Sequence, residues 1–231
     1  MRLFNFYGEL MRSIQTKSGK WPKDIAVTKN GDIVYTDPWN FTLNIVKNTQ
    51  IYDLVRLQEW KPNFVCCSST GDFLVVMFKD NDEDAKVVRY AGSTEKQTIQ
   101  FDAEGQSLFR APDYQCGLDC TTYIAENRNL DICVADVHNQ AIIVVNRAGE
   151  LRFRYTGIMK PIGITTDSQG RILAADSHNN LIHILDQDGQ FLRFIDNCGL
   201  DTPWTLSVDN DDKLVVLMKD IGNVKKIQYC L

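Results

Sequence analysis

A unit of about 40 residues recurs along this 231-residue chain, and that recurrence limits the fold more than any other feature. Pro22 to Asp37 and Pro161 to Asp176 each span 15 positions and share one layout. Each starts at proline, runs through a short apolar segment, turns at a polar stretch with glycine (Gly31, Gly170), and closes a second apolar segment on Asp. Equivalent prolines stand at 22, 62, 161 and 203. Tyr123 to Asp136 lacks the proline but keeps the turn and the closing Asp, 40 positions before Asp176. Both units then continue alike, through His138-Asn139 or His178-Asn179, an apolar run, a turn ending in Gly149 or Gly189, and a further apolar run.

Each unit therefore reads as four short strands, a to d. The apolar runs are brief, rich in Val and Ile, and lack a 3.6-residue period, which argues against helix. Gly supplies positive φ in the turns, and Asn and Asp tolerate it or close the turn with their side chains. The period predicts an all-β fold, a β-propeller of four-stranded blades with strand a innermost.

The units divide residues 1–231 into a single propeller. Residues 17–60, 61–116 (with an insertion), 117–159 and 160–201 read as blades, and 202–231 as an incomplete last blade. Gly8-Glu9-Leu10 aligns with Gly149-Glu150-Leu151, so residues 1–16 read as strands c and d of a blade without a and b. Met77 and Met218 stand where the closing Asp is expected. Two closures fit. Residues 9–15 can serve as strand d of the last blade and close a five-bladed ring, which we favour at this stage. Alternatively, a six-bladed ring stays open.

Charge and cysteine content narrow the function. A net charge of −5 argues against a binder of duplex DNA, which must neutralise phosphates over a broad face. No apolar run approaches the length of a membrane span, and the first ten residues carry no signal-peptide pattern, so a cytoplasmic chain is expected. Seven cysteines are present and no Cys-x-x-Cys occurs. Cys116 and Cys120 lack a second pair at zinc-site spacing. Reduced thiols, no metal and no cofactor are the expectation.

In a propeller, the d–a and b–c connections share one face, the top. Trp21 and Trp60 precede blade prolines, Trp204 follows one, and Trp39 follows Asp37. These four, with Lys20 and Lys160 and the repeated pairs His138-Asn139 and His178-Asn179, are the candidate partner-binding residues, since rim aromatics often anchor partners. Lys23 and Lys61 join Lys20 and Lys160 if the ligand is a single strand of RNA. The competing role for each Trp is packing between blades, and Trp204, at the crowded start of strand a, fits that role best. Asp37, Asp136 and Asp176 recur at one turn, which points to structural acceptors of backbone N–H groups. His138 and His178 lie a blade apart with no third histidine on their side, which is not a metal centre. No spacing suggests a catalytic residue.

Ser13-Ile-Gln-Thr-Lys17, Asp24-Ile-Ala-Val27, Val46-Lys-Asn-Thr-Gln50, Ser93-Thr-Glu-Lys-Gln97, the stretch 126–136 and His183-Ile-Leu-Asp-Gln-Asp-Gly-Gln190 carry a family likeness. The chain resembles the C-terminal NHL-repeat propeller of tripartite-motif (TRIM-NHL) proteins over nearly its whole length. The resemblance implies a six-bladed propeller, used for protein or RNA binding, in a parent ubiquitin ligase whose RING, B-box and coiled coil precede it. None of those three is in this sequence, and compared with the family the chain reads as truncated at its N-terminus. The expectation is a substrate-recognition module that binds protein and performs no catalysis. The alternative is an RNA-binding propeller that uses the top-face lysines and tryptophans.

Overall fold

The computed structural model describes residues 1–5, 7–79, 84–111, 122–219 and 222–229. The acidic 80–83 loop, the insertion around Cys116 and Cys120, and Cys230 lie outside the described residues. The described chain is all-β. Its first sheet is a hairpin, β1 (Arg2–Phe4) with β2 (Leu10–Ser13). Four complete antiparallel blades follow. They are β3 (Ile25–Val27), β4 (Ile33–Asp37), β5 (Thr42–Lys47) and β6 (Gln50–Arg56); β7 (Trp60–Cys67), β8 (Phe73–Lys79), β9 (Ala85–Ala91) and β10 (Thr94–Ile99); β11 (Thr122–Glu126), β12 (Ile132–Asp136), β13 (Ala141–Val145) and β14 (Leu151–Tyr155); and β15 (Pro161–Thr166), β16 (Ile172–Asp176), β17 (Leu181–Leu185) and β18 (Phe191–Ile195). A fifth blade has three strands, β19 (Pro203–Val208), β20 (Leu214–Met218) and β21 (Val224–Ile227).

Strand pairing reproduces the sequence repeat. Pro161 faces Asp176 across its blade, while Pro62 faces Met77 and Pro203 faces Met218. Alternation then builds the core, because successive side chains of a strand point to opposite faces. On β13, Ala141, Ile143 and Val145 pack toward Phe64, Leu74 and Val87 of the second blade. Ile142 and Val144 pack the other way, onto Ile164, Ile172 and Leu185 of the fourth. On β16, Leu173 and Ala175 turn to Leu206, Leu214 and Val216 of the fifth. β13 and β16 are buried on both faces, which explains their nearly unbroken runs of apolar residues.

The a–b turns lie on the bottom face and are stitched in series. The Lys29 ammonium donates to the Ser69 carbonyl, and Ser69 donates through N–H and hydroxyl to Glu126 Oε2, each at 2.7 Å. Arg128 donates to the Ser168 carbonyl, and Ser168 N–H donates to Asp212 Oδ1 at 3.0 Å.

The N-terminal hairpin is the c–d unit that its sequence predicts. Asn5 Oδ1 accepts from Glu9 N–H at 2.9 Å, and Asn5 Nδ2 donates to Glu9 Oε2 at 2.6 Å. Asn146 and Glu150 repeat both bonds, at 3.0 and 2.8 Å. Closure of a five-bladed ring by residues 9–15 is not what forms. Among the described strands, β2 pairs only with β1, and β21 pairs only with β20. Packing explains the difference. Ile14 is buried with Tyr35 and Val46 on the face of the first complete blade, with Met1, Ile33 and Ile51 around them. Lys17 adds a bond from its N–H to the Tyr35 hydroxyl (3.3 Å) and an ion pair with Asp53 (2.6 Å). The hairpin is thus held as a neighbouring blade fragment, which leaves the outer edge of β21 unpaired. Deleting residues 1–16 is expected to cost about 2 kcal/mol through exposure of this small cluster, with the later blades still folded. Urea titration followed by tryptophan fluorescence checks this. Complete unfolding of the truncated chain would show that the hairpin does more than cover one face.

Candidate functional site

Asp136 and Asp176 are buried and saturated. Asp176 Oδ1 accepts from His178 N–H (3.1 Å) and Asn179 N–H (3.2 Å), and Oδ2 from Met159 N–H (3.1 Å) and Asn179 Nδ2 (2.9 Å). Asp136 makes the same four bonds, with His138 N–H, Asn139 N–H, Arg110 N–H and Asn139 Nδ2, all at 3.0 Å. Each carboxylate clasps its own b–c turn to the connection entering its blade. Asn139 and Asn179 belong to the clasp through their amides, and His138 and His178 contribute backbone N–H groups. Asp37 is held more loosely, by Ser18 N–H at 3.3 Å and Asn40 N–H at 3.4 Å. Met77 and Met218 fill the equivalent positions with buried apolar side chains.

Beneath Asp176 lies a buried relay. His183 Nε2 is 3.6 Å from Asp176 Oδ2, and its Nδ1 is 2.9 Å from the Tyr155 hydroxyl. Phe191 and Phe194 stand edge-on to the imidazole. His183 is 2% exposed, so the relay reads as a support for the clasp.

The four tryptophans separate into two groups. Trp60 is half-buried beside Val55 and Leu57, with the Lys86 ammonium 4.0 Å from its ring centroid. Trp204 is half-buried near Tyr123, and Lys219 lies 4.3 Å from its ring centroid. Both are packed between elements. Trp21 and Trp39 are 89% and 66% exposed. Both line a hollow of about 510 Å³, together with Lys20, Pro22, Lys23, Pro38, Lys61 and Asn63. The connection from β2 to β3 supplies Lys20 to Lys23. The Asp37 clasp sets the turn that carries Pro38 and Trp39, and the start of β7 supplies Lys61 and Asn63.

Lys23 lies 5.6 Å from the Phe64 ring centroid. Burial lowers its pKa, with neighbouring Asp24 opposing. Asp24 accepts from Ile25 N–H (2.8 Å) and Val65 N–H (2.9 Å) behind the hollow. Burial pushes its carboxyl up to about 7 against the pull of those bonds and of Lys23. Lys160, His138 and His178 do not line this hollow. Aligning the blades on their prolines could have found the part contributed by β7, since Lys61 then falls on Trp21 and Asn63 on Lys23.

Among the described residues no group of three or more His, Cys, Asp or Glu could hold a metal. Cys66, Cys67, Cys133 and Cys198 are free thiols. Burial pushes Cys67 up to about 11 and raises Cys66 and Cys133 further, which leaves them poor nucleophiles. Among the described residues no helix is long and apolar enough to cross a membrane.

These features define a β-propeller of four-stranded blades, one unit of which carries an NHL repeat. The NHL repeat model matches residues 159–185, which span the fourth blade's strands a to c and its Asp176 clasp. No curated protein matches the sequence. Among solved structures, a Bacteroides caccae protein of unknown function aligns with a TM-score of 0.67 at 12% identity, over 91% of this chain and 75% of that one. Virginiamycin B lyase from Staphylococcus aureus aligns at 0.62 and 12% identity, over 99% and 76%. A chain of a nidogen/laminin complex aligns at 0.66 and 16% identity, over 87% and 72%. Enzymes and a protein in a protein complex thus share one fold with this chain, and identities this low speak for fold alone.

Proposed function

We propose that this propeller is a recognition module that binds a protein partner through the hollow between Trp21 and Trp39, with no catalysis of its own. The observation that carries the reading is the pair of exposed indoles that line one preformed concavity. Large aromatics that bury on binding dominate interface energetics, and a soluble chain seldom exposes two together without use. The substrate-recognition role of a tripartite-motif propeller, in a cytoplasmic protein, is the finer form of the same proposal. It rests on the sequence likeness.

The test is a pull-down comparing the wild type with a Trp21→Ala/Trp39→Ala variant. Bound proteins are expected to be lost from the variant while its melting temperature stays within about 2 °C, because neither indole is packed in the core. Retention of every partner by the double variant would remove this site from consideration. RNA binding is the second reading, favoured by the lysines beside the indoles. Cross-linking to RNA in cells that disappears on charge reversal of Lys20 and Lys160 would put it first.

A further inference from the structure

The hollow has a charge as well as a shape. Lys20, Lys23 and Lys61 are among its lining residues, and no carboxylate stands among the described ones. An adjoining hollow of about 550 Å³ shares Lys20, Trp21 and Pro22 and adds Arg2, again with no carboxylate among the described lining residues. Four cations therefore gather around Trp21 in a chain whose net charge is −5. Lys23 is a partly buried ammonium, and an anion brought against it would restore the favourable surroundings that burial removes. The Asp24 carboxyl bonds two backbone N–H groups, and its pull on Lys23 does not offset the burial of that ammonium.

Resting on the recognition reading above, we propose that the Trp21–Trp39 groove takes an acidic peptide segment. Its Asp or Glu carboxylates would sit on Lys20, Lys23 and Lys61, and a neighbouring aromatic or aliphatic side chain would lie between the two indoles. The form of the site favours a peptide over a nucleic-acid strand. Single-stranded RNA is tracked along an extended basic groove with a stacking ring for successive bases. Here the cations and indoles are confined to the region around Pro22. At the equivalent b–c turns of the next blades with an Asp clasp, the residue matching Trp39 is His138 or His178. Mobile lysine ammoniums around an apolar slot suit scattered carboxylates with one apolar anchor.

The test pans a random dodecapeptide phage library on the protein, then measures the enriched peptides by fluorescence anisotropy. The expected peptides carry two or more acidic residues beside one aromatic or aliphatic residue. Their affinity is expected to fall at least about tenfold in a Lys23→Glu/Lys61→Glu variant and in Trp21→Ala, and to weaken as salt rises. Thermal melting of each variant reports whether the fold is kept, and Lys20→Glu offers a fully exposed substitution if the double change does not fold. Neutral or basic peptides that still need both indoles would overturn the acidic specificity and leave the recognition reading in place. Peptides indifferent to Trp21 and Trp39 would overturn both. An oligouridine strand that binds more tightly than any enriched peptide, and is lost on the same charge reversals, would replace the acidic peptide with RNA.

Discussion

Gly163→Ala is expected to lower the stability of the propeller by about 2–3 kcal/mol, and Gly163→Val by more. A Cβ at this position would stand 2.4 Å from the Trp204 carbonyl oxygen, 3.1 Å from the Leu206 nitrogen and 3.2 Å from Leu206 Cγ. The two nearest atoms belong to the backbone of β19, so no rotamer change in the fifth blade can make room. β19 is itself fixed by pairing with β20, and Leu206 is anchored in the cluster shared with Leu173 and Ile184. The strand register shifts between Pro161 and Ile164, at this point of contact. In a chain of this size the loss corresponds to a fall of roughly 5–10 °C in melting temperature. Gly31→Ala is the control. It has nothing within 4 Å, and its φ of +81° makes backbone strain its sole cost, about 1 kcal/mol. Equal losses at the two glycines would show that β15 and β19 do not approach as closely as described.

The inner strands illustrate what sequence can and cannot show. The 40-residue period, the closing Asp and the alternating apolar runs were legible because local chemistry writes them. Strand pairing needs apolar side chains on both faces of β13 and β16, and the turns need Gly, Asn or Asp. Gly163 carries no such mark. It reads as one more small residue in a strand, and only the approach of a strand about 40 residues away gives it a reason. The fate of the N-terminal hairpin was illegible in the same way. Its c–d identity follows from Asn5, Gly8 and Glu9, but whether it adds to β21 or stacks on the first complete blade depends on Ile14 meeting Tyr35 and Val46.

The candidate site was half legible. Proximity to blade prolines placed all four tryptophans near the top, and at that resolution they looked alike. Their separation depends on neighbours distant in sequence. Trp60 meets Lys86 and Trp204 meets Lys219 and Tyr123, whereas Trp21 and Trp39 meet one another's hollow. The Leu130 turn makes a related point. Leu130 takes the position of Gly31, Gly71 and Gly170 with φ of +68°. The turn keeps the bond that closes its glycine counterparts, from Asn127 N–H to the Asp131 carbonyl at 2.8 Å, and Asn129 Oδ1 accepts from Asp131 N–H at 3.1 Å.

Asp176→Ala is expected to cost about 3–4 kcal/mol, because it strands donors that the buried carboxylate now satisfies. Met159 N–H, Asn179 Nδ2 and the N–H groups of His178 and Asn179 lose their acceptor together, and His183 loses the group that faces its Nε2. Asp136→Ala is expected to cost a similar amount, since its four bonds match. Asp37→Ala is expected to cost about 1 kcal/mol, in keeping with two long bonds. The pH dependence follows from the same contacts. Burial alone would raise the Asp176 pKa. The nearby His183 imidazole and the bonds from Met159 N–H and Asn179 outweigh it and hold the carboxyl well below the usual carboxylate range. The unfolded chain protonates this carboxyl near pH 4, above the folded value. The stabilisation is therefore complete above that range and declines as pH falls through it toward the folded pKa. Melting temperatures measured from neutral pH to pH 3 are expected to fall more steeply for the wild type than for Asp176→Asn, which cannot titrate. If the two curves ran parallel down to acid, the Asp176 clasp would not be the ionised, four-bond acceptor described here.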